Sequence, residues 1–136
     1  MAHDDEKQAA ARASLRFVRD GQIVGLGSGS TATYVVQFLG ERVRAGLKIV
    51  GIPTSNKTRD LAASLGIPLT SLEQTPQIDV TIDGADEIDP QLSLIKGGGG
   101  ALLHEKIVAS ASRHFVIIAD SSKQVPTLGK HLRWQL

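Results

Sequence analysis

The 136-residue sequence contains no cysteine, so the chain can form neither a disulfide nor a thiolate metal site. Its longest apolar runs fall well short of the ~20 residues that a transmembrane helix requires. The N-terminus carries acidic residues near its start and lacks the apolar core of a signal peptide. These absences exclude sulfur redox chemistry and predict a cytoplasmic protein that does not bind a membrane.

The chain also has little net charge. Fifteen Lys and Arg against fourteen Asp and Glu give a formal charge of +1, and no run of basic residues forms a strip for a polyanion. Nucleic-acid binding is therefore not predicted. A hydrophobic fraction of 41% is sufficient for one compact domain with a real core.

Helical and strand-like segments alternate along the chain. A helix-forming N-terminal segment that ends at Gly21 precedes the apolar run QIVGL, and a helical segment follows the Gly-rich GSGST. LKIVGIP predicts a second strand, Thr54 or Ser55 can cap the next helix, and Gly66 ends it. Two further strands are predicted, IDVTIDG and FVIIAD, separated by the helical ALLHEKIVASASRH. This alternation predicts an α/β fold with a parallel, Rossmann-like sheet and helices on both faces.

Unusual residues follow the predicted strands. GLGSGST follows the first strand, DGADEID the third and DSSKQ the fourth, while KGGGG precedes the last helix. Ligands of a parallel α/β sheet bind beyond the carboxyl ends of its strands. The four segments are therefore expected to converge on one ligand site.

The loop GLGSGST has two interpretations. A dinucleotide-binding loop would have glycine at Ser30, and a Walker loop would have a lysine before Thr31, so NAD and nucleoside triphosphates are disfavoured. A small phosphate held by Ser28, Ser30, Thr31 and backbone N–H groups fits the residues. A tight turn in which Ser30 or Thr31 is the N-cap of the helix fits them as well.

The acidic and basic residues of the other segments also leave alternatives open. Asp83 and Asp86 could hold sugar hydroxyls, act as acid and base, or form a weak metal site, whereas Glu87 and Asp89 are interpreted as solvated loop charges. Glu105, nine positions after Lys96, could be a general base in an apolar, glycine-lined cleft. The pattern alone fits an ordinary helix residue better.

Four motifs carry a resemblance to a known family. GLGSGSTA, TIDGADEID, LIKGGGGALLHEKIVA and IADSSKQV occur in the order and spacing of type A ribose-5-phosphate isomerase, which the chain resembles to about Lys130. That family interconverts ribose 5-phosphate and ribulose 5-phosphate in the non-oxidative pentose phosphate pathway, without a metal or organic cofactor, and forms homo-oligomers. The resemblance implies the same isomerase activity, a small sugar phosphate as ligand and a homodimer.

The resemblance also implies roles for individual residues. Glu105 is the expected proton acceptor, Lys96 the charge that stabilises an enediolate, and Asp83 or Asp86 an aid to ring opening and proton transfer. The expected substrate-binding residues lie in the four motifs and are Ser28, Gly29, Ser30, Thr31, Asp83, Gly84, Ala85, Asp86, Lys96, Gly97, Gly98, Gly99 and Lys123.

Family members continue beyond the end of this sequence. Residues 1–130 are therefore expected to form an incomplete catalytic domain, residues 131–136 a divergent tail, and the family's small C-terminal α/β domain is expected to be lacking. A catalytically silent sugar-phosphate-binding module remains an alternative function. A related amino-sugar deaminase is a third, but the contiguous KGGGGALLHEK argues against it.

Overall fold

Four parallel strands form the central sheet of the computed structural model, which describes residues 2–84, 87–88, 94–95, 108 and 110–118. The strand order is β2-β1-β3-β6, and two short strands, β4 and β5, pair with each other in antiparallel fashion. The bounds of the six strands are β1 Ile23–Leu26, β2 Val50–Pro53, β3 Ile78–Gly84, β4 Glu87–Ile88, β5 Leu94–Ile95 and β6 Ser112–Ile118. The predicted parallel α/β sheet is confirmed. The predicted tail, residues 131–136, lies outside the described residues.

The bounds of three α-helices lie within the described residues. They are α1 Ala2–Ser14, which a 3₁₀ turn at Leu15–Phe17 follows, α2 Ser30–Arg44 and α3 Asn56–Ser64. None of the described helices is long and apolar enough to cross a membrane.

The first helix ends earlier than the sequence predicts. It stops at Ser14, whose hydroxyl donates to the carbonyl of Ala11 at 2.7 Å, and not at Gly21. Gly21 lies in the turn before β1, with φ at +85°, and its N–H donates to the carbonyl of Lys48 at 2.7 Å. The prediction of a helix end at Gly21 is therefore wrong, because this glycine serves the entry into the sheet.

Both ends of α3 follow the predicted chemistry. Ser55, rather than Thr54, is the N-cap, since its hydroxyl accepts the Thr58 N–H at 3.2 Å. Gly66 follows the last residues of the helix with φ at +79°, a conformation that glycine adopts without strain.

Apolar side chains cover the sheet on both faces. One cluster packs Val35 and Leu39 of α2 and Ala62 of α3 against strand residues that include Val24 and Val80. A second cluster joins Ile52, Ile78 and Val108. Ile52 pairs with Gly25, so its side chain lies on the face opposite to Val24. Val108 is helical, and the predicted helical cover of both faces is confirmed.

After β2, the chain crosses back over the sheet to place β3 on the other side of β1. After α3, Leu69 forms a parallel bridge with Gly51 on the outer side of β2, and the chain then returns to β3 beside β1. Because β1 leads outward to β2 while β3 leads the other way to β6, the strand order switches between β1 and β3. In α/β sheets, a ligand crevice opens beyond the carboxyl ends of the strands at this point.

Candidate functional site

The loop after β1 and the end of β3 lie side by side at the switch point. Leu26 pairs with Ile82, and the Gly27 N–H continues the ladder by donating to the Ile82 carbonyl at 2.9 Å. The next residue, Ser28, donates its N–H to Oδ1 of Asp83 at 3.1 Å. Two predicted site residues, Ser28 and Asp83, are thus in direct contact although 55 positions separate them.

Asp83 is the buried acidic group of this crevice. Its side chain is fully buried, and Oδ1 accepts the N–H of Gly84 at 2.8 Å in addition to that of Ser28. Burial of a carboxylate is costly unless hydrogen bonds compensate for the lost water. The two backbone donors therefore fix the orientation of a carboxyl group at the carboxyl end of β3, the edge where ligands of parallel α/β sheets bind.

Gly27 makes room for Asp83. A Cβ atom at Gly27 would lie 2.3 Å from Oδ1 and 2.6 Å from the Cα of Asp83. These distances are shorter than any van der Waals contact, and one of the two atoms belongs to the backbone. Only glycine fits here. Gly27 is part of the loop GLGSGST but is not among the predicted site residues.

We expect Gly27→Ala to lower the free energy of unfolding by about 2–4 kcal/mol, because the new methyl group overlaps a buried strand. Gly84→Ala is the matched control. Its Cβ would make only ordinary contacts, at 3.5 Å from the Ser28 carbonyl oxygen and 3.8 Å from that of Ile118. Urea denaturation of both variants measures the difference. Equal losses of stability would contradict the proposed overlap.

The N-terminus of α2 lies beside the same loop. The helix begins at Ser30, its N-cap is Gly29 with φ at +94°, and no side chain of the described residues caps it. The interpretation of Ser30 or Thr31 as the N-cap is therefore wrong. Ser30 is exposed and Thr31 is buried. The first N–H groups of a helix carry partial positive charge, which suits an anion.

Two threonines outside the predicted site residues support the loop, one directly after β2 and one in α3. Thr54 is fully buried; its hydroxyl donates to the Leu26 carbonyl and lies 2.9 Å from the Ser28 hydroxyl. Thr58 donates its hydroxyl to the Gly27 carbonyl at 3.1 Å. The sequence carries a signal for both threonines, because the hydroxyl-rich TSNKT follows the second strand at the same edge of the sheet.

A partly buried pair of hydroxyls connects β3 with the first residue of β6. The Thr81 and Ser112 hydroxyl oxygens lie 2.6 Å apart, and Ser112 donates to the Val108 carbonyl at 2.6 Å. Thr81 precedes Asp83 by two positions, and Val108 follows the predicted base, Glu105, by three.

The other predicted site residues lie outside the described residues. They are Ala85, Asp86, Lys96, Gly97, Gly98, Gly99, Glu105 and Lys123. Among the residues that are described, no group of three or more His, Asp or Glu side chains could hold a metal ion.

A family model and curated proteins of the same name match the chain. The family model for ribose 5-phosphate isomerase A (phosphoriboisomerase A) matches residues 50–134. The chain is similar to ribose-5-phosphate isomerase A of Parvibaculum lavamentivorans, with 62% identity over 129 residues that make up 95% of this chain and 56% of that protein. The chain thus spans about half the length of the curated relatives it matches.

Solved structures show the same likeness. A D-ribose-5-phosphate isomerase in complex with phospho-erythronic acid superposes with a TM-score of 0.91 and 43% identity, over 96% of this chain and 58% of that one. Ribose 5-phosphate isomerase A of Methanocaldococcus jannaschii gives a TM-score of 0.89 and 42% identity, over 95% of this chain and 58% of that one.

Proposed function

The chain belongs to the ribose 5-phosphate isomerase A family, and on this basis we propose that it interconverts D-ribose 5-phosphate and D-ribulose 5-phosphate. One observation carries the proposal. The buried carboxyl group of Asp83 contacts the Ser28 N–H directly beside the start of α2. This arrangement supports a crevice in which an acceptor for sugar hydroxyls lies next to donors for a phosphate.

The phosphate is proposed to bind at the start of α2. Gly29 allows the backbone to turn with positive φ, and the N–H groups of Ser30 and Thr31 begin the helix without a side-chain cap from the described residues. Lys123 is proposed to add a positive charge. The related isomerase in complex with phospho-erythronic acid supports this kind of ligand, because that acid carries a phosphate.

The proposed reaction needs one mobile base and fixed groups at the sugar oxygens. Glu105 removes the proton from C2 of the open-chain sugar and returns it to C1, through a cis-enediolate. Lys96 and the backbone N–H groups of residues 97–99 stabilise the developing oxyanion. No metal or organic cofactor takes part in the proposed mechanism.

Asp83 and Asp86 are proposed to bind the sugar hydroxyls, to assist ring opening and to carry the hydroxyl proton. The Gly84 and Ala85 backbone completes this part of the site. Because the Asp83 carboxyl group is held by two backbone N–H groups, it requires no reorientation when the sugar arrives.

The wider setting is proposed from the family. The isomerase would act in the cytoplasm, in the non-oxidative pentose phosphate pathway, and as a homodimer. Phe17 and Phe115 are exposed large apolar side chains, which suits a surface for self-association. Light scattering on the purified chain measures the mass in solution directly.

A coupled assay for ribulose 5-phosphate, with calorimetric titration of ribose 5-phosphate, tests the proposed function. We expect saturable turnover of ribose 5-phosphate and none of unphosphorylated ribose, since the anchored phosphate positions the reacting carbons. Binding without turnover would instead support the silent sugar-phosphate-binding module. Absence of both binding and turnover would contradict the proposal as a whole.

A further inference from the structure

Ser28 has two hydrogen-bond donors, its backbone N–H and its hydroxyl, and both are directed into the protein. The N–H donates to Asp83 Oδ1 at 3.1 Å. The hydroxyl oxygen lies 2.9 Å from the hydroxyl oxygen of Thr54, a distance that requires a proton between the two oxygens. The direction of this second bond decides what Ser28 can offer a ligand.

The surroundings of Thr54 determine that direction. Its hydroxyl lies 2.9 Å from the Leu26 carbonyl oxygen, and a carbonyl can only accept, so the single proton of Thr54 belongs to this bond. Thr54 is fully buried, which leaves its hydroxyl no alternative partner in solvent. The proton between the two hydroxyl oxygens therefore comes from Ser28.

Reversing the bond would be unfavourable. If Ser28 donated to a phosphate oxygen, Thr54 would have to turn its proton towards Ser28. The Leu26 carbonyl would keep the Thr54 backbone N–H, which it accepts at 3.0 Å. The Thr54 hydroxyl oxygen and the Leu26 carbonyl oxygen would then face each other at 2.9 Å with no hydroxyl proton between them, and their lone pairs would repel in a buried place.

We therefore propose that Ser28 binds a sugar hydroxyl as an acceptor and does not bind the phosphate, and that Thr54 is the positioning residue that fixes this role. The inference rests on the proposed function. It divides the crevice into two parts. Ser28 and Asp83 form an acceptor end that takes hydroxyl groups, while the start of α2, at Ser30 and Thr31, forms a donor end that takes the phosphate.

This division also orients the substrate. A phosphate at Ser28 would meet the lone pairs of its hydroxyl and the neighbouring carboxyl group of Asp83, both of which repel an anion. The phosphate is therefore directed to α2 and the hydroxyl-bearing carbons to β3. Ser28 therefore does not belong with Ser30 and Thr31 as a phosphate-binding residue.

Calorimetric titrations with two probes, inorganic phosphate and ribose 5-phosphate, test the inference. For Ser28→Ala we expect the Kd of ribose 5-phosphate to rise about tenfold, as for one lost hydrogen bond, and the Kd of inorganic phosphate to change by less than about twofold. Ser30→Ala is the comparison variant, and it should raise the Kd of both probes by similar factors.

Thr54→Val and Thr54→Ser separate positioning from packing. Valine keeps the shape of threonine but releases the Ser28 proton, so the ratio of the ribose 5-phosphate Kd to the phosphate Kd should rise at least about threefold. Serine retains the hydroxyl and should restore the wild-type ratio. A purely structural role for Thr54 would change the melting temperature without changing this ratio.

The outcomes are distinct. If Ser28→Ala weakened the binding of both probes equally, the inference would be overturned while the proposed function stayed intact. The same would follow if a folded Thr54→Val left the ratio of the ribose 5-phosphate Kd to the phosphate Kd unchanged. A wild-type chain that binds neither probe would overturn both. Should Thr54→Val fail to fold, Ser28→Ala alone decides, because Ser28 lies only partly buried at the loop surface.

Discussion

Glu105→Gln is expected to lower the kcat for ribose 5-phosphate isomerisation by about 10³-fold or more, while the Kd of the substrate changes by less than about threefold. Glutamine has nearly the shape of glutamate but cannot accept a proton. The variant therefore keeps contacts that bind the sugar and loses the group that removes the proton from C2. The coupled assay measures kcat, and calorimetry measures Kd.

Glu41→Gln is the matched control. Glu41 is an exposed residue of α2, so this substitution makes the same chemical change away from the proposed site. It should retain the wild-type rate. Exchange of the C2 proton in D₂O gives a second readout: the wild-type chain should incorporate deuterium from solvent, and Glu105→Gln should not. Near-normal turnover in Glu105→Gln would eliminate the assignment of Glu105 as the base.

The order and type of the main elements could be predicted because hydrophobic periodicity reports burial directly. The ends of elements were harder to predict. The last strand begins at Ser112, three residues before the apolar FVIIAD, since Ser112 and His114 pair with Ile78 and Val80 of β3. Those polar residues resemble the end of a helix in sequence, and only their neighbours in the sheet make them a strand.

The candidate site was predictable to the extent that it depends on topology. Parallel strands bring their carboxyl ends to one edge, which is why Ser28 and Asp83 could be expected to lie near each other before their contact was seen. The direction of the hydrogen bond between Ser28 and Thr54 was not predictable. It depends on a third group, the Leu26 carbonyl, whose position follows from the register of β1 and β2.

Asp83→Asn is expected to lower kcat by about 10²-fold while reducing the free energy of unfolding by only about 1 kcal/mol. An asparagine oxygen can still accept the N–H groups of Ser28 and Gly84, so the loop keeps its support. The negative charge and one acceptor oxygen are lost, and with them the proposed aid to ring opening and proton transfer. The coupled assay and urea denaturation measure the two effects separately.

Asp79→Asn is a control within the same strand. Asp79 precedes Asp83 by four positions, so both side chains lie on one face of β3. The Asp79 Oδ2 accepts the backbone N–H of Ile23, in β1, at 2.7 Å. The two substitutions remove the same charge from the same strand and retain the same type of hydrogen bond. They differ in position, because Asp79 lies at the amino end of β3 and Asp83 at the carboxyl end, where ligands bind. Wild-type turnover in Asp79→Asn, together with a large loss of kcat in Asp83→Asn, would locate the function of the carboxylate at the carboxyl edge of the sheet. Equal losses of kcat in both variants would instead make Asp83 a structural residue of the β1–β3 pair.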